Sequence, residues 1–272
     1  MKNIAKSIAA QISKKVTEKI EVFMILGSGW REILNMVQNP IVIPYTSLKG
    51  MPVSKDHEGR FVFGYVGGQY VCVMHGRLHM YEGYSVYDVV LPIDIMYELG
   101  VENIVITNSS GGINKTFNAG DVVVFKNHVN FTSINPLVGV VPPDNLSLYV
   151  DMSKPYDEKY IEMVKKVGEE NNIPVKEGVY VQVLGPNYET EAEIKMYAGI
   201  GVDMIGCSTV AEIIKSRYYG MKVLCLTCIT NKAAGLSKVR LNRDSMMEIV
   251  ENNKDKLKLI LIEFLKKLSI VK

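Results

Sequence analysis

Val183–Asn231 reads VLGPNYETEAEIKMYAGIGVDMIGCSTVAEIIKSRYYGMKVLCLTCITN, and this stretch decides the fold class. A β-like run, VYVQVL, is broken by Gly185-Pro186. Tyr188, Glu189 and Thr190 follow at once, before a helical pattern begins near Ala192. Ser208-Thr209 makes a second turn, and a buried run, VLCLTCIT, ends at Asn231. Strands alternating with helices indicate an α/β protein. In such folds ligands sit beyond the carboxyl ends of the strands. A ring, a carboxylate, a hydroxyl and an amide at those ends suit a small flat ligand with hydrogen-bonding edges.

Outward from that stretch, three more strand exits carry glycine or serine. Glu21–Leu26 is an apolar run entering Gly27-Ser28-Gly29, where backbone amides and a hydroxyl can meet an anion. The dinucleotide pattern G-x-G-x-x-G is incomplete, because Ile33 occupies the third glycine's place. Phe61–Val66 and Tyr70–Met74 read as a hairpin joined by Gly67-Gly68. The second run exits into HGRLHMYEG, residues 75–83, the densest polar cluster in the chain. Arg77 and His79 lie two apart and so face one way on an extended segment. A guanidinium fork with an imidazole donor suits a phosphate-like oxyanion. His75 is assigned to structure. Asn103–Thr107 is a further strand, predicted to end in a turn at Asn108-Ser109-Ser110-Gly111-Gly112. Asp121–Phe125 is another, followed by His128, for which a catalytic role is weighed and a hydrogen-bonded structural histidine is preferred.

Helices are predicted over 3–20, 86–99, 156–171 and 245–268, the last from apolar positions including Val250, Leu257, Ile260, Leu261 and Phe264. Residues 131–155 contain four prolines and little periodicity, which suits a functional or interface loop. Residues 1–272 are read as a single domain, without linker, repeat or low-complexity run. A net charge of +2 gives no case for nucleic acid or an anionic membrane, and no apolar run reaches membrane-spanning length. Cys225-Leu-Thr-Cys228 resembles a metal or redox pair, but residues three apart on a strand point to opposite faces. Buried thiols in a reducing cytoplasm are therefore expected.

These readings place an anion subsite (Ser28, Arg77, His79, Ser208) beside a planar-ligand subsite (Tyr188, Glu189, Asn231). At this point the chain resembles the trimer-type purine nucleoside phosphorylases. The matching motifs are GSG at 27–29, HGRLHMYEGYS at 75–85, TNSSGGIN at 107–114, NHVNFT at 127–132, GPNYETEAE at 185–193, GCSTVAE at 206–212 and ITNKAAG at 229–235. They occur in the family's order and cover residues from about 20 to 250. The resemblance implies a mixed, partly barrel-like central sheet flanked by helices. It implies phosphorolysis of purine nucleosides and their 2′-deoxy forms to free base and α-D-ribose 1-phosphate, a purine-salvage reaction. Phosphate is then a co-substrate, and no metal or organic cofactor is expected. It also implies a cytoplasmic homotrimer.

Residue by residue, the resemblance assigns phosphate to Ser28, Arg77, His79, Ser208, the Ser109 amide and His57. Tyr81 would touch the sugar, with Cys207 beneath it. Tyr188 would lie against the purine, Glu189 would accept from N1–H, and Asn231 would donate to N7 or O6. Tyr149 would reach a neighbouring subunit's site. The related methylthioadenosine phosphorylases carry Asp where Asn231 stands, so Asn231 with Glu189 predicts inosine and guanosine. A site built to hydrogen-bond one edge can reject the wrong edge by around 10⁴-fold.

Four departures from the family pattern stand out. GSGLG reads GSGWR, introducing Trp30 and Arg31. Met-Ser-Thr-Val-Pro reads Cys207-Ser-Thr-Val-Ala211, and Phe-Glu reads Tyr188-Glu189. The histidine that meets the ribose 5′-hydroxyl aligns with Arg243, which either accommodates a 5′-phosphate or points into solvent. A hydrolytic nucleosidase, a non-catalytic nucleoside or phosphate binder and a Rossmann-type nucleotide binder are the competing readings.

Overall fold

A computed structural model describes residues 2–53, 59–238 and 241–270. In chain order its regular elements are α1 (Lys2–Ser13), β1 (Val22–Ile25), β2 (Gln38–Pro44), β3 (Arg60–Val66), β4 (Gln69–His75), α2 (Val86–Glu98), β5 (Asn103–Gly112), β6 (Val122–Asn130), α3 (Glu158–Glu170), β7 (Val175–Gln182), α4 (Glu191–Gly199), β8 (Met204–Gly206), α5 (Val210–Tyr218), β9 (Lys222–Lys232) and α6 (Arg243–Ile270). The strands form one nine-stranded mixed sheet in the order β2-β3-β4-β1-β5-β8-β7-β6-β9. Strand β9 pairs antiparallel with β6 and parallel with β5, so the half of the sheet from β5 to β9 closes on itself. The expected partly barrel-like sheet flanked by helices is therefore observed.

Alternation along β1 shows how the two faces are covered. Phe23 and Ile25 enter a core shared with Ile8 and Ile12 of α1, Leu91 and Ile95 of α2 and Ile213 of α5. Val22 and Met24 enter the opposite core, with Val164 and Val167 of α3 and Leu257, Ile260 and Phe264 of α6. Helices on both faces explain why this strand is apolar throughout, as parallel strands buried on two sides must be. Cys225 and Cys228 obey the same alternation. Cys225 lies in the first core and Cys228 in the second, both as free thiols.

Several elements differ from the sequence expectation, among them β6, which runs on to Asn130, and β8, which was not foreseen. Strand β2 escapes periodicity because QNPIVIP is an exposed edge carrying two prolines, paired to β3 across a register shift. Strand β5 does not turn at Asn108 but runs on to Gly112. Its small residues absorb a bulge at Ser110/Gly111 while pairing with β9 and, at the tip, with β8. Helix α1 stops at Ser13, where the Ile12 carbonyl accepts from both Lys15 and Val16 amides at 2.8 and 3.0 Å. Val16 and Ile20 are buried without being helical. Among the described residues no helix is long and apolar enough to cross a membrane.

Candidate active site

The exits of β1, β4, β5, β7, β8 and β9 and the start of α6 converge on one cleft of about 270 Å³. The β1 exit is shaped by close packing. Gly27 lies so near β5 that a Cβ there would stand 2.6 Å from the Asn108 Cα, and its amide donates to Thr107 Oγ1 at 3.0 Å. Gly29 has φ +89°, a left-handed conformation, and a Cβ would meet Val250 of α6 at 2.1 Å. Between cleft-lining Ser28 and Arg31, Trp30 turns inward, buried, and its Nε1 donates to the Asn108 carbonyl at 2.9 Å.

Arg77 is buried and locked on several sides. Its Nη1 donates to Ser208 Oγ at 3.0 Å and to Thr209 Oγ1 at 3.3 Å, and its Nη2 donates to the Thr107 carbonyl at 3.0 Å. Its Nε forms an ion pair with Glu212 at 3.2 Å, the two side chains being 5% and 2% exposed. Thr209 sits at φ +94° just before α5, a costly conformation for a non-glycine residue. It is held there by Asn108 Nδ2 donating to its hydroxyl at 3.0 Å and by its own amide donating to Glu212 Oε2 at 3.1 Å. Glu212 thus neutralises Arg77 and fixes the turn that carries Ser208.

His79 stacks on Tyr81, with ring centroids 4.8 Å apart, and its Nδ1 lies 2.7 Å from Glu82 Oε1. Burial, assisted by the Arg77 charge, holds its pKa below the ordinary histidine value. In the neutral form of the ring the Nδ1 hydrogen goes to Glu82 and Nε2 is left as an acceptor. The sequence reading took this imidazole as a donor. A carboxylate orients the ring it bonds, and Glu82 does so here through Nδ1.

Asn231, also in the cleft's lining near the end of β9, is oriented by two contacts. Its Oδ1 accepts from Thr230 Oγ1 at 2.8 Å and its Nδ2 donates to the Lys232 carbonyl at 2.9 Å. One Nδ2 hydrogen remains for a ligand. Glu189 is partly buried; desolvation, with a smaller push from Glu193, raises its pKa. Burial likewise pushes the Cys207 thiol up, so it packs as a neutral group. Tyr188 lies half exposed at the rim, its hydroxyl 3.5 Å from Met246 Sδ and within the field of Arg243.

Ser28, Arg77, His79, Ser109, Ser208, Tyr81, Tyr188, Glu189, Cys207, Asn231 and Arg243 all line this cleft. His57 lies outside the described residues. Tyr149 is absent from the cleft's lining and is 97% exposed. His128 is structural as expected: its Nδ1 meets the Tyr156 hydroxyl at 2.9 Å, and burial lowers its pKa to about 4. The sequence reading missed Asn108, Thr230 and Met246, and it assigned no role to Arg31, Thr209 or Glu212. Thr209-x-x-Glu212 has capping-box spacing, the one signal that pointed to that pair.

The family model described as "Phosphorylase superfamily" matches residues 21–266. Purine nucleoside phosphorylase 1 of Bacillus subtilis is 39% identical over 93% of this chain and 94% of its own. A Schistosoma mansoni purine nucleoside phosphorylase in complex with adenosine superposes with a TM-score of 0.93 at 33% identity, covering 98% of this chain and 97% of its own. An inosine complex of a Schistosoma mansoni purine nucleoside phosphorylase gives 0.89 at 32% identity, covering 97% and 96%.

Proposed function

The chain belongs to the phosphorylase superfamily and, within it, to the purine nucleoside phosphorylases, and from that premise we propose how this cleft divides the work of purine nucleoside phosphorolysis. Inosine, guanosine and their 2′-deoxy forms are the proposed substrates, with inorganic phosphate as co-substrate. The observation that carries this reading is the set of groups the cleft brings together. Ser208, Arg77 and His79 line it together with an amide that keeps an uncommitted N–H.

Breaking the C1′–N9 bond leaves positive charge on the ribose and puts the bonding electrons on the purine. Asn231 Nδ2, already oriented by Thr230 and Lys232, donates to N7 as that charge grows. Donors aimed where charge develops, and needing no reorganisation, contribute most to such a step. Glu189 accepts from N1–H of a 6-oxopurine. Adenine has no hydrogen on N1, so the Glu189–Asn231 pair favours hypoxanthine and guanine. Tyr188 covers the base, while Tyr81 and Cys207 contact the sugar.

Phosphate lies against Ser28, Ser208, Arg77 and the Ser109 amide. His79 Nε2 accepts the O–H of hydrogen phosphate and so turns an ionised oxygen toward C1′. That oxygen forms the new C1′–O bond on the face opposite the departing base. No step calls for a metal or organic cofactor. The reading extends to a cytoplasmic, single-domain enzyme that assembles as a homotrimer. The exposed apolar side chains Phe131, Val138, Val141 and Tyr149 support a second copy covering this segment, with Tyr149 reaching the neighbour's cleft. His57 remains proposed for phosphate.

Hypoxanthine release from inosine, followed with and without phosphate, tests the reading. Release only with phosphate supports it. Release at the same rate without phosphate identifies a nucleoside hydrolase.

A further inference from the structure

Ser208 lies in the turn between β8 and α5, beside Thr209 at φ +94°. Its hydroxyl is the part that meets the anion, so the backbone carrying it has to be held by other groups. Three consecutive amides of this turn each have a buried side-chain acceptor. The Ser208 amide donates to Tyr180 Oη at 3.4 Å, the Thr209 amide to Glu212 Oε2 at 3.1 Å and the Val210 amide to Gln182 Oε1 at 2.6 Å. Tyr180 Oη also donates to the Ser208 carbonyl at 3.0 Å, so one hydroxyl grips both polar groups of the Ser208 backbone.

Two of the three acceptors come from β7. Residues two apart on a strand face one way, and Val181 between them enters a different core from Tyr180. Tyr180 and Gln182 are 0% and 2% exposed. The Tyr180 ring packs against Phe125, with centroids 4.7 Å apart. Gly206 leaves room for its hydroxyl, since a Cβ there would stand 2.6 Å from Oη. A phenylalanine would fill the same core, and a buried tyrosine hydroxyl needs a partner. Here that partner is the turn.

We propose that Tyr180 is a positioning residue for phosphorolysis: through the Ser208 backbone it aims the Ser208 hydroxyl at the phosphate co-substrate, while Gln182 holds the start of α5 behind it. This rests on the phosphate reading of Ser208. Displacing a binding group weakens the contact that group makes, so the cost falls on phosphate. Tyr188, Glu189 and Asn231 are carried by other segments and keep their hold on the base.

The test is steady-state kinetics of wild type, Tyr180→Phe, Ser208→Ala and the double variant with inosine, varying phosphate and nucleoside separately. Tyr180→Phe should raise the phosphate KM about fivefold to tenfold, the scale of one lost hydrogen bond, and leave the inosine KM within about twofold. In the Ser208→Ala background the same change should alter the phosphate KM by less than about twofold, because the group it aims is gone. Gln182→Met keeps the length and removes the acceptor. It should also raise the phosphate KM, and it carries the same test should Tyr180→Phe fail to fold. A lowered Tm with an unchanged phosphate KM in either variant would overturn the proposal, as would an equal effect of Tyr180→Phe with and without the Ser208 hydroxyl. Failure of the underlying reading looks different: wild type itself would then release hypoxanthine without regard to phosphate.

Discussion

Glu212→Gln should separate the two roles of the buried ion pair. The Arg77 and Glu212 side chains are 5% and 2% exposed and 3.2 Å apart, and Glu212 also accepts from the Thr209 amide at 3.1 Å. Glutamine keeps the shape and one acceptor oxygen, so the Thr209 turn can survive. The charge does not, and Arg77 is left buried without a counter-ion. Breaking a buried pair by removing one partner costs roughly 3–5 kcal/mol. The lower end applies here, because Ser208, Thr209 and the Thr107 carbonyl still accept from the fork. At about 2–4 °C per kcal/mol for a chain of this size, Tm should fall by about 6–12 °C. Phosphate binding should move the other way. An uncompensated guanidinium gains more from a dianion, so the phosphate KM falls and phosphate raises the variant's Tm more than the wild type's. Thermal melts across a phosphate titration, read beside phosphate KM, check both halves. A variant that melts within about 2 °C of wild type, with the same phosphate response, would refute the idea that Glu212 neutralises Arg77.

Asn231→Ala should lower kcat/KM for inosine by about 100- to 1000-fold with little change in Tm, since it removes one donor from the departing base; a loss under tenfold in initial-rate assays would count against that role. His128 makes stability pH-dependent. Its folded pKa of about 4 lies below the ordinary histidine value, so its contribution is complete above about pH 6.5 and is lost as pH falls toward 4. Urea unfolding at pH 7.5 and 5 should show wild type losing about 2 kcal/mol more than His128→Asn, an upper figure because the ring is only partly buried, and equal losses would contradict it. Arg243 lines the cleft mouth at the start of α6. Arg243→Ala should weaken competitive inhibition by inosine monophosphate about tenfold while the inosine KM changes less, and an unchanged inhibition constant would show that the guanidinium does not reach the 5′ end.

The α/β architecture was legible because apolar runs such as Glu21–Leu26 and Asn103–Thr107 alternate with helical periodicity. Strand β2 was not, because an exposed edge strand with two prolines offers an apolar run of only three residues, Ile41–Ile43. Nor was the length of β5, whose Ser-Ser-Gly-Gly tail looks like a turn and becomes a strand only through long-range pairing with β9 and β8. In the cleft, residue types at strand exits revealed Ser28, Arg77, Glu189 and Asn231. Their electrical state was hidden. Glu212 lies far along the chain from Arg77 and meets it only in the fold, and Glu82 decides the ring nitrogen that His79 offers. Spacing shows which groups share a face, whereas charge balance depends on contacts across the sheet.

The central claim is that a phosphate oxygen attacks C1′ as the purine leaves this cleft. The most direct measurement is mass spectrometry of the sugar product when inosine is turned over in phosphate labelled with ¹⁸O at every position. Phosphorolysis forms a C–O bond and breaks none in phosphate, so ribose 1-phosphate should carry the full label of the starting anion. Free ribose without label, or ribose 1-phosphate that has lost an oxygen label at its bridge, would contradict the account.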